Sequence, residues 1–260
     1  MLINCQNVSF IRDKHPILQH IDWQMRKDEN WAILGLNGSG KTTLLKLITG
    51  YDWPSSGNLT VLGETFGKTS IPDLKKKIGW ISSDIKQRIR PYDVAEDIVL
   101  SGKFASIGIW EHTTTEDKQL AKDILANLGA TMLIGKKFGV LSQGQQQLVL
   151  IARALMAQPE LLIFDEPCNG LDLFSREFIL SQINQIASNH SVKGLIVVTH
   201  YIEEIPTSVD HVLLLKQGQI FAQGLKSDLF KPDILTEFYD HSVDVIKLND
   251  EQFTVIPKKF

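Results

Sequence analysis

Residues 35 to 42 read Gly35-Leu36-Asn37-Gly38-Ser39-Gly40-Lys41-Thr42. The residue types and their spacing suit the holding of a phosphate chain. Glycines let successive backbone N–H groups turn toward phosphate oxygens. A helix starting at Lys41 adds the partial positive charge of its N-terminus. Lys41 brings a point charge to the β and γ phosphates, and the Thr42 hydroxyl offers an oxygen to Mg²⁺. The run matches G-x-x-x-x-G-K-[ST] at each fixed position. The dinucleotide pattern G-x-G-x-x-G fails, because Gly38-Ser39-Gly40 is followed by Lys41, Thr42 and Thr43.

A second segment, Leu161-Leu162-Ile163-Phe164-Asp165-Glu166-Pro167, sets two adjacent carboxylates at the end of an apolar run. Neighbouring side chains of a strand point to opposite faces, so the two acids can take different tasks. Asp165 suits a hydrated Mg²⁺, and Glu166 suits orientation and polarisation of an attacking water. A third segment, Leu141-Ser142-Gln143-Gly144-Gln145, precedes a helical run over 146–157. Ser142 and Gln145 form a capping-box pair. A serine hydroxyl, a glycine N–H and a helix start also make an anion site, and both readings stay open on the residues alone.

The elements that must position these groups follow from periodicity. The apolar run 31–34 reads as a buried strand, and 41–49 as an amphipathic helix stopped by Gly50. Residues 1–26 read as two strands of a hairpin, and short strands are predicted near 58–62 and 77–82. From about 83 to 157 the signals are mostly helical, over 93–100, 116–128 and 146–157, with an irregular connector at 102–110. After that, strands at 161–164 and 194–199 flank a helix at 173–188. A hairpin turns at Lys216-Gln217-Gly218, between strands at 209–215 and 219–221. A weak helix at 232–239 and two weak strands around Asn249-Asp250 end the chain. The expected fold is α/β: a nucleotide-binding core with a mostly parallel sheet, an N-terminal antiparallel β-subdomain and an inserted α-helical subdomain.

Composition narrows the function classes. The chain has 260 residues, 27 Lys plus Arg against 30 Asp plus Glu, and 43% apolar residues. Nucleic acid is not an expected partner, because binding by phosphate neutralisation needs clustered excess Lys and Arg. The two cysteines, Cys5 and Cys168, lie far apart and in no metal-ligand spacing, so neither a disulfide framework nor a zinc site is expected. Cys168 reads as a packing residue. The start lacks a signal-peptide pattern, and no apolar run approaches the ~20 residues that span a bilayer. A cytoplasmic protein is expected, with any membrane role supplied by a partner.

Taken together, GLNGSGKTT, LSQGQ, LLIFDEP, Cys168-Asn169-Gly170-Leu171-Asp172 and Val197-Val198-Thr199-His200 resemble, in order and spacing, the nucleotide-binding subunit of an ATP-binding cassette (ABC) ATPase, a P-loop NTPase. The resemblance covers about residues 2–225. It implies a nucleotide-binding domain over 1–225, with its helical subdomain at about 84–157, and a short C-terminal extension over 226–260. It implies ATP and Mg²⁺ as ligands, with Gly35, Leu36, Asn37, Gly38, Ser39, Gly40, Lys41, Thr42 and Thr43 around the phosphates. Thr42 and Asp165 would hold the metal. Glu166 would be the catalytic carboxylate, and His200 would contact the γ-phosphate. Asp172 would lie in the loop that communicates between subunits. Ser142, Gln143, Gly144 and Gln145 would act in trans, on ATP bound to a second copy, so that two ATP are enclosed in a head-to-tail homodimer. The usual partner is an integral-membrane permease, which places such a subunit on the cytoplasmic face of the membrane.

Two positions depart from that pattern. Where an aromatic residue normally stacks on adenine, the sequence has Arg12. A guanidinium plane also stacks on a π-face, and Phe10 is the competing candidate. Where a glutamine normally touches the metal and couples to the membrane partner, the chain has Ser83 followed by Asp84, with Gln87 four residues late. Ser83 or Asp84 is therefore a candidate further metal ligand. These departures, with the run Asn30 to Gly40, resemble a bacterial branch named after molybdate transport. The leading expectation is an energising subunit of a transporter. The alternative is a soluble single-cassette ATPase serving an assembly or translation-associated task. A nucleotide-binding module without turnover is disfavoured, because Lys41, Glu166 and His200 are all present.

Overall fold

A computed structural model describes residues 1–258 with the exception of 69, 110, 190 and 250. In chain order its elements are β1 (Ile3–Arg12), β2 (His15–Met25), β3 (Asn30–Leu34), α1 (Lys41–Ile48), β4 (Ser56–Val61), β5 (Glu64–Thr65), α2 (Ile71–Lys76), β6 (Ile78–Ile81), α3 (Ser83–Arg88) and α4 (Ala95–Ser101). There follow α5 (Thr115–Asn127), α6 (Gln143–Met156), β7 (Leu161–Asp165), α7 (Leu173–Ser188), β8 (Gly194–Thr199), β9 (His211–Lys216) and β10 (Gln219–Leu225). The C-terminal elements are α8 (Lys226–Leu229), α9 (Pro232–Tyr239), β11 (Val243–Lys247) and β12 (Phe253–Pro257).

The central sheet has the order β10-β9-β3-β8-β7-β6. Its strands from β9 to β6 run parallel, and only β10 is antiparallel to its neighbour. Parallel strands need helices on both faces, and the apolar residues divide accordingly. Ala32, Leu34, Leu162, Phe164, Leu195 and Val197 pack into one core with α4 to α7. Trp31, Ile33, Leu161, Ile163, Ile196 and Val198 pack into the other, with α1 and the N-terminal strands. The period of two in β3, β7 and β8 thus builds both cores from one set of continuous apolar runs.

The N-terminal strands form a separate antiparallel sheet, β2-β1-β4-β5. The turn between β9 and β10 has Gln217 at φ 51° and Gly218 at φ 77°, the pair of positive values that a two-residue hairpin needs. Helices α3 to α6 form the inserted helical region. Besides the four-residue α8, two short helices were not visible in the periodicity. They are α2, and α3, which starts directly after β6 with Ser82 as its N-cap, the Ser82 hydroxyl accepting from Ile85 N–H at 3.4 Å. Both are six residues long, too short to show a helical stripe. The C-terminal strands β11 and β12 pair with each other. Asp250, part of the turn predicted between them, lies outside the described residues. Leu229, Phe230, Leu235, Phe238 and Val243 join the same core as α4 to α7.

Candidate functional site

The phosphate cradle is built at the end of β3. That strand lies between β8 and β9, with Leu34 opposite Thr199 and Leu214. The chain then turns through 35–40 and enters α1 at Lys41, with Gly40 as N-cap and no side chain capping the helix. The first N–H groups of α1 are therefore left for an anion. Two glycines are sterically required. A Cβ on Gly35 would stand 2.4 Å from Ser39 Oγ and 2.6 Å from the Leu215 carbonyl oxygen, and Gly40 has φ 105° with Leu18 Cδ2 2.7 Å from a notional Cβ.

Inside this turn Lys41 is only 6% exposed. Its ammonium donates to the carbonyl oxygens of Gly35 at 2.7 Å and Leu36 at 3.2 Å. Burial lowers its pKa, while the carboxylates of Glu166 and Asp165 pull it back up. Ser39 Oγ is buried without a hydrogen-bond partner among the described residues. A buried cation, an orphaned hydroxyl and an uncapped helix start fit the polyphosphate that the sequence implies. Leu36, Asn37 and Gly38 are exposed around the loop, and Thr42 is exposed in the first turn of α1.

The acidic pair arrives from β7. Asp165 ends the strand opposite Val198. Glu166 has already left strand geometry at φ 50°, with its N–H bonded to the Val198 carbonyl at 2.8 Å. Burial, with the charges of Glu166 and Asp84 adding to it, raises Asp165 to about 6, against the pull of Lys41 and Lys46. Parallel pairing of β6 with β7 sets Ile81 opposite Phe164, which is how the start of α3 comes to face Asp165. Crowded acids of this kind are relieved by a cation. No group of three or more His, Cys, Asp or Glu among the described residues forms a self-sufficient metal site. Mg²⁺ is commonly held by one or two carboxylates plus substrate phosphates. Thr42, Asp165 and Asp84 are the oxygen donors that suit it. Ser83 and Gln87 are exposed on α3.

His200 follows β8 directly. Its Nδ1 lies 3.5 Å from Glu166 Oε1, a contact rather than a hydrogen bond, and its ring centroid is 4.0 Å from that of Tyr201. The turn is fixed from beneath. Thr199, fully buried, donates its hydroxyl to Glu204 Oε2 at 2.6 Å and accepts from Tyr201 N–H at 3.0 Å. Asn169 Nδ2 approaches Glu166 Oε2 at 3.4 Å. Sequence reasoning quoted Thr199 and Asn169 in their runs without giving them a role, and it missed Glu204. The available signal was the acidic pair Glu203-Glu204 set between Ile202 and Ile205, just after the histidine.

The segment 142–145 stands at the start of α6, where the capping box is complete. Gln145 N–H donates to Ser142 Oγ at 3.3 Å, and Ser142 N–H donates to Gln145 Oε1 at 3.1 Å. Ser142 and Gln143 are exposed. Gly144 abuts Ser175, and Gly170 abuts the Gln143 side chain, so the segment lies against the loop that holds Asp172. Asp172 caps α7, accepting from Phe174 N–H and Ser175 N–H at 3.0 Å each and from Ser175 Oγ at 2.7 Å. Those bonds hold its carboxyl below the usual range. No hydrogen bond among the described residues joins 142–145 to the phosphate loop of the same chain.

Of the two adenine candidates, Phe10 is 8% exposed and packed in the core. Arg12 lies over it, the guanidinium carbon 5.3 Å from the ring centroid, held by an ion pair to Asp52 at 2.9 Å. Half of the Arg12 side-chain surface stays open.

Residues 18–169 match the family described as ABC transporter. The chain is 42% identical over 254 residues to the ABC transporter ATP-binding protein YmeB of Lactococcus lactis, covering 98% of each protein. It is 39% identical over 202 residues to the ABC transporter ATP-binding protein ModF of Escherichia coli, covering 76% of this chain and 41% of that longer protein. Among solved structures, a dimeric ATP-binding cassette in a post-hydrolysis state, bound to ADP and phosphate, superposes with a TM-score of 0.72 at 25% identity, over 86% of this chain and 98% of that one.

Proposed function

This chain belongs to the ABC transporter family of ATP-binding proteins and is an ATP hydrolase, and from that premise we propose that two copies enclose two ATP head to tail and energise an integral-membrane permease. The observation that carries the dimer is the separation within one chain. Lys41, Asp165, Glu166 and His200 converge at the sheet end, while the 142–145 segment, with Ser142 and Gln143 exposed, is hydrogen-bonded among the described residues only within its own helix start. A second copy supplies what one chain leaves apart.

In this reading Lys41 and the N–H groups of 35–43 bind the phosphates, and Ser142 with Gly144 caps the γ-phosphate of the ATP held by the opposite copy. Thr42 and Asp165, with Asp84 as a further oxygen donor, would hold Mg²⁺, which would supply charge neutralisation on the β and γ phosphates. Glu166 orients the attacking water and polarises it. His200, steadied by the Thr199–Glu204 bond, meets the γ-phosphate, and Asp172 carries its loss across to the other copy. Arg12 offers its open face to adenine, its other face already resting on Phe10.

The permease half of the proposal is supported by a groove beside α3, where the departure from glutamine lies. Tyr51, Trp80, Ile85 and Arg153 line it, and Arg153 spans it with a 2.6 Å bond to the Ser106 carbonyl. No helix among the described residues is long and apolar enough to cross a membrane, so membrane attachment falls to that partner and would hold the chain at the cytoplasmic face. Residues 1–225 would be the cassette and 226–260 its extension. Kinship with the branch named after molybdate transport rests on ModF and names no cargo.

The test is recruitment. Where a polytopic membrane protein is encoded beside its gene, the chain is expressed with and without that protein. It should move to the membrane fraction with that protein and change its turnover there. A chain that stays in the supernatant with unchanged turnover would favour the soluble, non-transport task.

A further inference from the structure

Behind the His200 turn lies a cleft of about 280 Å³ that the ATPase reading does not use. One wall is the start of β12 with the turn that leads into it, the other the segment 202–205 and the start of α7. The C-terminal hairpin β11–β12 is seated here by two contacts. Phe253 meets Phe230 edge to face at 5.4 Å, and Thr254 Oγ1 donates to Glu203 Oε1 at 3.1 Å.

The floor holds Lys226, 7% exposed, whose ammonium has no hydrogen-bond partner among the described residues. Burial lowers its pKa, and Asp210 and Glu251 hold it up only through their charge. Leaving a buried ammonium without an acceptor is costly, and an anion entering the cleft would remove that cost. Arg176 supplies a second cation, its guanidinium at 3.3 Å from Glu177. Of the acids around the cleft, Glu177 is engaged by Arg176 and Glu203 by Thr254. Glu251 in the lining and Asp210 beside Lys226 are left, and they set a limit, since a polyanion near them would be repelled. Phe230, Phe253, Ile202 and Ile205 supply apolar walls. The volume equals about nine waters at ~30 Å³ each, which is room for a small organic acid.

We infer that this cleft is an effector site for a small monocarboxylate with an apolar or aromatic body, bound by Lys226 between the C-terminal hairpin and the His200 turn. The walls lead directly to the catalytic elements. Glu203 lies three residues after His200, beside Glu204, which bonds Thr199 at 2.6 Å. Arg176 N–H is bonded at 2.9 Å to the carbonyl of Asp172. Occupancy thus acts on the γ-phosphate contact and on the inter-subunit loop together. The regulatory half rests on the proposed roles of His200 and Asp172, and the binding half does not.

The two halves are measured apart. Nucleotide-free full-length protein is titrated calorimetrically with benzoate and with its neutral analogue benzamide. Benzoate should bind, with benzamide and Lys226→Met each weakening the interaction by about tenfold or more, the effect of losing a charge-assisted hydrogen bond. Thermal unfolding of Lys226→Met should show a midpoint no lower than the parent, because an unpartnered charge has been removed. Separately, benzoate should change the ATP turnover of the parent by about twofold or more, and that change should vanish in Lys226→Met. Absence of benzoate binding, or equal binding of benzamide or by Lys226→Met, overturns the site. Binding that leaves turnover unchanged overturns the regulatory role.

Discussion

Glu166 Oε1 and His200 Nδ1 stand 3.5 Å apart at the ends of neighbouring parallel strands, β7 and β8. The pairing of Asp165 with Val198 brings them together, and the left-handed backbone of Glu166 at φ 50° turns its carboxylate out of the sheet. The acid proposed to orient water and the imidazole proposed to meet the γ-phosphate thus share one edge, above a Lys41 ammonium that lies in the field of both acids.

Glu166→Gln should lower turnover by roughly two to four orders of magnitude, the usual worth of a general base. Nucleotide binding should remain. In Mg-ATP the variant should shift by light scattering from monomer to dimer. A variant that keeps parental turnover removes Glu166 from the catalytic role, and one that binds ATP yet stays monomeric removes the unaided sandwich.

Lys41→Ala should weaken ATP binding by roughly ten- to a hundredfold, the ~1.5–3 kcal/mol of a hydrogen bond to a charged group. The fold should persist, since the loop carbonyls of Gly35 and Leu36 regain water once the ammonium is gone. Fluorescent-nucleotide titration beside a circular-dichroism melt reads both; parental affinity would exclude Lys41 from the phosphate site.

Arg12→Ala should reduce ATP affinity by about two- to thirtyfold, the range of a cation–π contact of ~0.5–2 kcal/mol. Competition between ATP and inorganic triphosphate locates the loss. It should fall on ATP alone, and equal loss for both would mean that Arg12 touches phosphate rather than base.

Ser142→Ala removes one member of the capping box and should cost about 1 kcal/mol of stability. The distinguishing readout is assembly. In the Glu166→Gln background it should also abolish the ATP-driven dimer while single-chain nucleotide affinity holds. A small stability loss with an intact dimer would make Ser142 a cap and nothing more.

Glu204 is held above the ordinary carboxylate range chiefly by burial, with the Thr199 hydroxyl and His200 pulling the other way. A raised carboxyl binds its proton more tightly folded than unfolded. Its contribution to stability is therefore complete below the unfolded value and lost as pH rises through the folded one. Glu204→Gln, which keeps an acceptor for Thr199, should gain stability relative to the parent as pH climbs upward from about 4, the ordinary carboxylate value. Urea midpoints across that window measure it, and a pH-independent difference would refute the assignment.

The sequence by itself determined whatever consecutive residues decide. The phosphate loop, its buried strand and its helix are one continuous stretch, so glycine spacing and apolar periodicity specify strand, turn and helix at once. The same holds for the capping box at Ser142 and the positive-φ turn at Gln217-Gly218, where the required backbone angles are local. The apolar runs of β3, β7 and β8, alternating with helical stretches, announced a mostly parallel sheet.

Tertiary structure alone decided which distant residues share a volume. Asp84 reaches the field of Asp165 because β6 joins the sheet beside β7, and no property of residues 83–84 encodes that neighbour. Phe10 was a rival to Arg12 until the packing of β1 buried its ring in the core. The bond from Thr199 to Glu204 and the seating of β12 on the turn after His200 likewise depend on where each element packs. Local pattern fixes backbone conformation through sterics and hydrogen bonding within a few residues. Neighbourhood across the chain follows from strand order and close packing, which are collective properties of the whole fold.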